Sequence, residues 1–307
     1  MYKQTNLMFI KCITPMHCGS GSELGIIDLP IQREKHTDYP KIEGSSLKGA
    51  IREAVENINE NDSAFQADIH YYFGYDDKSI SVKNGTVSEF FDEKEKQEFQ
   101  GAIGVSDSRI LFFPVKSMKG VFAYITCPDV LNKFIKALDL CRIPSKIIIP
   151  NVPIGECLVS DKSLLTLGEN IVLEEYAFKI NKQNNFEINI ASLKQILNKV
   201  AILNDDDFND FVNLSTEVIT RTKIDNESGT VEDGALFTEE YLPAESIMYS
   251  LIFTGETFGK PDKTNSKPFE FFKNCIQNDL NDIIQIGGNA NIGKGISELN
   301  ILEMEGK

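Results

Sequence analysis

Apolar residues over the first 140 positions follow an order of spacings that narrows the open folds more than any other feature. Residues 7–13 form a strand-length apolar run closed by Thr14-Pro15. Leu47, Ile51, Ala54, Val55 and Ile58 then recur at helical spacing, which predicts a helix over about residues 45–59. Residues 102–105 and 110–113, with 121–126, read as strands. Pro128 opens a second helix with Val130, Leu131, Phe134, Ile135 and Leu138 on one face, proline being favoured at a first helical position. Helices and strands mixed in this way predict an α+β chain.

Strand, helix, two strands, helix is the opening of a ferredoxin-like or RRM-like βαββαβ unit. Residues 141–215 are less regular, with 190–203 and 207–212 reading as helical. A late helix is expected over 269–276, a strand over 283–286 that can close the sheet, and another over 296–303. Residues 61–100 are polar and irregular apart from Tyr71-Tyr72-Phe73-Gly74-Tyr75, so 60–100 is expected to be an acidic insertion on the core of one domain, 1–307. With 307 residues, 41% of them hydrophobic, the chain can bury a core of that size. There is no apolar run of membrane-span length, and the first residues lack a secretory pattern. Six scattered cysteines without a Cys-x-x-Cys pair point to thiols in a reducing cytoplasm. His17 between Cys12 and Cys18 lacks the spacing of a zinc site.

The net charge of −15 disfavours binding bare duplex by electrostatics alone. Its distribution matters more than its total. Residues 53–100 hold 12 acidic and 4 basic side chains, whereas residues 31–52 hold five basic and three acidic ones. An acidic back can therefore coexist with a phosphate-binding face that uses backbone N–H groups.

That basic stretch contains Gly44-Ser45-Ser46-Leu47-Lys48-Gly49 and, further on, Arg52. Ser45 or Ser46 is placed to cap the helix, whose open N–H groups and Lys48 would make an anion seat. Upstream, Asp28 stands in a loop bounded by Gly25 and Pro30, where an aspartate either makes an Asx turn or does chemistry. Gly288-Asn289-Ala290-Asn291-Ile292-Gly293-Lys294 fits the first seven positions of a Walker A loop, but Gly295 stands where that motif needs Ser or Thr. A strand after it excludes the helix such a loop requires. The glycines instead suit close backbone approach to a ligand.

These strings together resemble the RAMP superfamily of CRISPR proteins, and within it the repeated backbone subunit of type III-B (Cmr) effector complexes. Leu24-Gly25-Ile26-Ile27-Asp28-Leu29-Pro30-Ile31-Gln32-Arg33 and Gly44-Ser45-Ser46-Leu47-Lys48-Gly49 carry the resemblance most strongly. Further matches are Ser106-Asp107-Ser108-Arg109-Ile110-Leu111-Phe112-Phe113-Pro114-Val115, Gly234-Ala235-Leu236-Phe237-Thr238-Glu239-Glu240-Tyr241-Leu242-Pro243 and Ile286-Gly287-Gly288-Asn289-Ala290-Asn291-Ile292-Gly293-Lys294-Gly295.

The resemblance implies a palm of the ferredoxin-like or RRM-like kind with insertions, and a thumb-like β-hairpin over 216–245. It implies that Asp28 is catalytic toward target RNA and depends on a divalent metal ion (Mg or Mn), bound transiently. Such a carboxylate would either hold the ion or accept the 2′-OH proton. His17, Glu239 and Tyr241 become secondary candidates, His17 against the alternative of a structural hydrogen bond. Ser45, Ser46, Lys48, Arg52, Gly288, Gly293 and Lys294 become candidates for RNA contact. Leu236 and Phe237 are candidate wedges between bases, with core contact as the other reading. Implied partners are CRISPR guide RNA, single-stranded target RNA, copies of the chain in a helical filament and other Cmr-type subunits, with no membrane. A non-cutting scaffold on guide RNA, an NTP hydrolase and a processor of repeat RNA are the rival functions. The NTP hydrolase rests only on the Lys294 loop, and the processor lacks a basic face.

Overall fold

Strand β1 (Gln4–Cys12) buries Leu7, Met8, Phe9 and Ile10 in succession. Four consecutive buried residues require cover on both faces, so the run belongs in the middle of a sheet. The computed structural model describes residues 2–22, 25–58, 62–75, 99–149, 151–160, 162–182, 186–222, 224–225, 228–231, 236–257 and 267–302. After β1 come β2 (Lys41–Ile42), α1 (Gly44–Glu56), α2 (Ser63–Phe73), β3 (Ile103–Val105), β4 (Ser108–Lys116), β5 (Phe122–Thr126) and α3 (Pro128–Leu140). The middle of the chain gives β6 (Ile147–Ile148), β7 (Glu156–Val159), β8 (Asn170–Leu173), β9 (Tyr176–Ile180), β10 (Glu187–Ile188), β11 (Val200–Leu203) and α4 (Asp205–Leu214). It closes with β12 (Glu217–Arg221), β13 (Phe237–Tyr241), β14 (Ile247–Thr254), α5 (Pro268–Asn274), β15 (Ile283–Gln285) and β16 (Ile296–Leu302).

The architecture is α+β around a large mixed sheet. Its order is β15-β16-β1-β14-β4-β5-β11-β7-β9-β8, with β2 on β4 and β3 on β14. Among the described residues, β11 on β5 and β7 on β9 are its parallel pairs. One hydrophobic cluster joins residues from Leu7 to Ile301. The helices enter that core by the faces their periodicity predicts: Leu47, Ile51 and Val55 from α1, and Val130, Leu131, Phe134 and Leu138 from α3. Burying each such large side chain contributes about 1.5–3 kcal/mol. On β16 burial alternates, with Ser297, Leu299 and Ile301 inward, the period-two signature of a strand covered on one face. Among the described residues no helix is long and apolar enough to cross a membrane.

Three expectations are corrected. Residues 190–203 are not a helix: two short 3₁₀ turns lead into β11, whose four residues are all buried. A short, wholly apolar run has no period of its own, and the parallel pairing with β5 decides its form. Residues 61–100 are not uniformly irregular, because α2 starts on Asp62, whose carboxylate accepts from the Ala64 and Phe65 N–H groups at 3.0 and 3.1 Å. Tyr72 and Phe73 of that helix join the main core, so the segment begins as part of it. Residues 76–98 of the expected insertion lie outside the described residues. Finally, neither β6, the next strand after α3, nor the later β11 returns beside β1, and β6 pairs with β10. β11 lies against β5, while β1 pairs antiparallel with β14 and β16. Local pattern selects element type; pairing partners are chosen by packing across the whole chain.

Candidate active site

Three loop segments, residues 13–20, 25–33 and 286–295, converge on β13. Met16 and Leu242 exchange backbone hydrogen bonds of 2.9 and 2.8 Å beyond the end of the strand. Leu29 donates to the Thr238 carbonyl and accepts from the Glu240 N–H, each at 3.0 Å. Gly288 donates to the His17 carbonyl at 2.8 Å, and Gly295 to that of Pro15 at 2.9 Å. Side chains alternate along a strand, so Thr238 and Glu240 face one way and Glu239 and Tyr241 the other.

Asp28 is exposed and sits against Thr238. Its Oδ2 accepts from the Thr238 N–H at 2.7 Å and the Thr238 hydroxyl at 2.8 Å. Its own N–H donates to Thr238 Oγ1 at 2.9 Å. The Thr238 N–H, then its hydroxyl, hold the Asp28 carboxyl below the ordinary aspartate value. Among the described residues Oδ1 has no protein donor. The neighbouring Glu240 is buried and accepts from the Ile31 N–H at 2.9 Å, Thr216 Oγ1 at 2.8 Å and Arg33 Nη2 at 2.5 Å. Arg33 Nη1 also donates to the Asp38 carbonyl and to Asn213 Oδ1, each at 2.7 Å. The loop that presents Asp28 is thereby tied to β13 and to the end of α4.

The opposite face of β13 holds a denser network. Glu239 accepts from Arg221 Nε at 2.6 Å, Asn289 Nδ2 at 2.7 Å and the Tyr241 hydroxyl. Arg221 Nη2 donates to that hydroxyl, as does Asn289 Nδ2 at 2.9 Å. His17 Nδ1 lies 2.7 Å from the Glu240 carbonyl, which can only accept, so Nδ1 carries the proton. Nε2 is then the nitrogen turned to Glu239 Oε1, 3.6 Å away. Burial pushes the Glu239 carboxyl up, but its donors Tyr241, Arg221 and Asn289 and the nearby His17 outweigh it and leave a net lowering. Burial and the adjacent Glu239 carboxylate push the Tyr241 phenol up. Lys294 Nζ stands 4.7 Å from the centre of the Tyr241 ring, a cation–π contact.

The structure thus gathers His17, Glu239, Tyr241, Gly288 and Lys294, and keeps Asp28 on the other side of β13. Among the described residues no hydrogen bond joins the two groups. The loop over 286–295 leads into β16 rather than a helix, and its Lys294 N–H bonds the Asn289 carbonyl at 3.2 Å, so it is no Walker cradle. Gly293 lies at its exposed tip with φ 73°. Leu236 is 63% exposed, which removes the core reading for it, and Phe237 is half-buried.

At α1 the expected serine cap is corrected. Glu43 holds the cap position without a side-chain bond, and Asp107 Oδ1 accepts the Gly44 N–H at 2.8 Å. A serine inside the first turn points along the helix surface instead of back over its end. Ser45 and Ser46 are exposed, and Ser46 Oγ accepts from Gln32 Nε2 at 3.3 Å. Lys48 is half-buried without an ion pair among the described residues, and burial, then the Arg52 charge, lower its pKa. Arg52 is turned to the protein, donating to Glu56 Oε1 at 2.8 Å and the Gly74 carbonyl at 3.1 Å.

Among the described residues no three His, Cys, Asp or Glu side chains gather as a metal centre. Asp28 is the candidate with a carboxylate oxygen turned to solvent. Thr238, Arg221, Asn289 and Arg33 escape sequence reasoning as site residues, although Asn289 lies in the glycine-rich string and adopts φ 65° there. An asparagine among glycines is a signal for such a turn.

A sequence profile of the RAMP superfamily matches residues 9–298. The chain is 34% identical over 310 residues to the CRISPR system Cmr endoribonuclease Cmr4 of Pyrococcus furiosus, covering 97% of this chain and 96% of that one. It is 25% identical over 322 residues to the CRISPR system CMR subunit Cmr4 of Saccharolobus solfataricus, with 95% and 94% covered. The crystal structure of oligomeric Cmr4 from Pyrococcus furiosus superposes with a TM-score of 0.68 at 29% identity, over 98% of both chains. A chain of the type III-B Cmr-beta complex bound to cognate target RNA, solved by cryo-EM, gives 0.73 at 26% identity over 98% of both.

Proposed function

The chain belongs to the RAMP superfamily, and from that premise we propose that it is a backbone subunit of a type III-B CRISPR effector complex that cuts guide-paired target RNA. End-to-end similarity to a Cmr endoribonuclease supports the class of activity. The observation that carries the assignment to a site is Asp28: an exposed carboxylate that accepts two hydrogen bonds from Thr238, which hold it below its ordinary value, while the Asp28 N–H donates a third bond back to that residue.

The reaction is attack of a target ribose 2′-oxygen on the adjacent phosphorus. The new P–O2′ bond closes a cyclic phosphate, the P–O5′ bond breaks, the 2′-OH gives up its proton and the 5′-oxygen gains one. A carboxyl held below its ordinary value is a poor proton acceptor near neutrality, which favours a charge-holding role for Asp28 over that of general base. Its free oxygen suits a transient Mg or Mn ion, which takes few carboxylates and fills its shell with water and phosphate oxygens. When bound, such an ion supplies charge neutralisation at the attacked phosphate.

Four strands in the order β16-β1-β14-β4, all antiparallel, with α1 following β1 and α5 following β14, support reading a ferredoxin-like palm. Residues 117–246 are then an insertion between its second and third strands. The antiparallel β12–β13 pair supports a thumb within 216–245, with exposed Leu236 as its wedge. Ser45, Ser46, Lys48 and the Gly288–Gly293–Lys294 loop are the surfaces assigned to RNA, and copies of the chain would line up along the guide beside other Cmr-type subunits. Asp28→Asn removes charge and keeps shape. Complexes reconstituted with guide RNA should assemble and bind labelled complementary RNA normally while cleavage falls below detection. Normal cutting by that variant would overturn the role of Asp28, and a wild-type complex that binds but never cuts would favour the scaffold reading.

A further inference from the structure

We infer that Thr238 is the positioning residue for Asp28, and that through it the β12–β13 hairpin sets the aim of the cleaving carboxylate. This rests on the catalytic reading of Asp28. The contact is reciprocal: Thr238 donates twice to Oδ2, and its hydroxyl oxygen accepts the Asp28 N–H. Three bonds between two residues 210 positions apart fix backbone and carboxylate together. They also select which oxygen faces outward, because Oδ2 is saturated on the protein side and Oδ1 is left open.

No other side chain among the described residues competes for this task. The charged neighbours on the same strand are committed elsewhere, Glu239 to Arg221 and Glu240 to Arg33. Thr238 belongs to β13, whose partner across the hairpin is β12, with Thr220 opposite Thr238 in the register. Asp28 belongs to a loop that touches β13 through the Leu29 backbone bonds. A shift of the hairpin, as when a paired RNA seats against it, therefore moves the anchor of Asp28 and changes where Oδ1 points. Cleavage would then depend on hairpin seating beyond the presence of the carboxylate.

Thr238→Val removes the hydroxyl, keeps the branched shape and leaves the strand N–H in place. Thr238→Ser keeps the hydroxyl. Both are reconstituted with guide RNA and compared with wild type and Asp28→Asn in target binding and single-turnover cleavage. Loss of such a supporting partner costs about 10- to 100-fold in activity. The valine variant should bind target within twofold of wild type and cut it about 10- to 100-fold more slowly, with the serine variant recovering most of the rate. Valine at the wild-type rate beside an inactive Asp28→Asn overturns the positioning role and leaves the catalytic reading standing. Equal slowing of valine and serine variants also overturns it, since shape rather than the hydroxyl would then be what matters. Wild-type cutting by Asp28→Asn removes the catalytic reading itself.

Discussion

Glu239 is 4% exposed, and its donors Tyr241, Arg221 and Asn289, with His17 nearby, hold its carboxyl below the ordinary value despite burial. Replacing it with glutamine keeps the size, removes the charge opposite Arg221 and turns an acceptor into a donor facing Asn289. Loss of a charge-assisted bond at a buried site costs about 2 kcal/mol, which lowers Tm by a few degrees in a chain of this size. Thermal melts check this, and the pH series fixes the cause. With the folded carboxyl held below its ordinary 4.5, its contribution is complete above that value and fades as pH falls through the depressed one. The difference in Tm between wild type and Glu239→Gln should therefore shrink on acidification below about 4.5. His17, Glu239 and Tyr241 can be named from their place in familiar strings. Their partners cannot, because Arg221 and Asn289 sit 18 and 50 residues from Glu239, and nothing in either neighbourhood marks them as acceptors' mates.

The loop between β15 and β16 shows what two of its glycines do. Gly295 has φ 76°, and a Cβ there would lie 2.0 Å from the Ile286 carbonyl oxygen, a backbone atom that cannot swing aside. Gly293 has a similar φ of 73° but open space around it. Gly295→Ala should cost more than about 2 kcal/mol, strain and clash together, whereas Gly293→Ala should cost only the left-handed strain of about 1–2 kcal/mol. Urea denaturation of both variants checks the order; equal losses would mean the loop relaxes around Gly295. Elements of this kind were legible where a period or a punctuating residue exists. Both long helical patterns, α1 and α3, stand within a few residues of expectation. Val200-Ala201-Ile202-Leu203 was not legible, because four apolar residues in a row fit a buried helix turn as well as a buried strand.

Across the whole molecule a charge of −15 has to coexist with RNA, so the few cations without acidic partners carry unusual weight. Lys48 is one: half-buried, beside Arg52, with no counter-ion among the described residues. Lys48→Ala should weaken guide-RNA binding and flatten its log–log salt dependence by roughly 0.7, the share of one phosphate on a single strand. An unchanged slope would mean that the ammonium faces water. The position of β1 has a different consequence, one of timing. Its flanking strands begin only at residues 247 and 296. A ribosome adding roughly 5–20 residues each second leaves Leu7, Met8, Phe9 and Ile10 unpaired for some tens of seconds after they are made. Throughout synthesis the nascent chain carries an exposed sticky edge, a natural client for chaperones. The loops beside His17 and Lys294 meet only when that wait ends, so the network around Glu239 is among the last parts of the site to form.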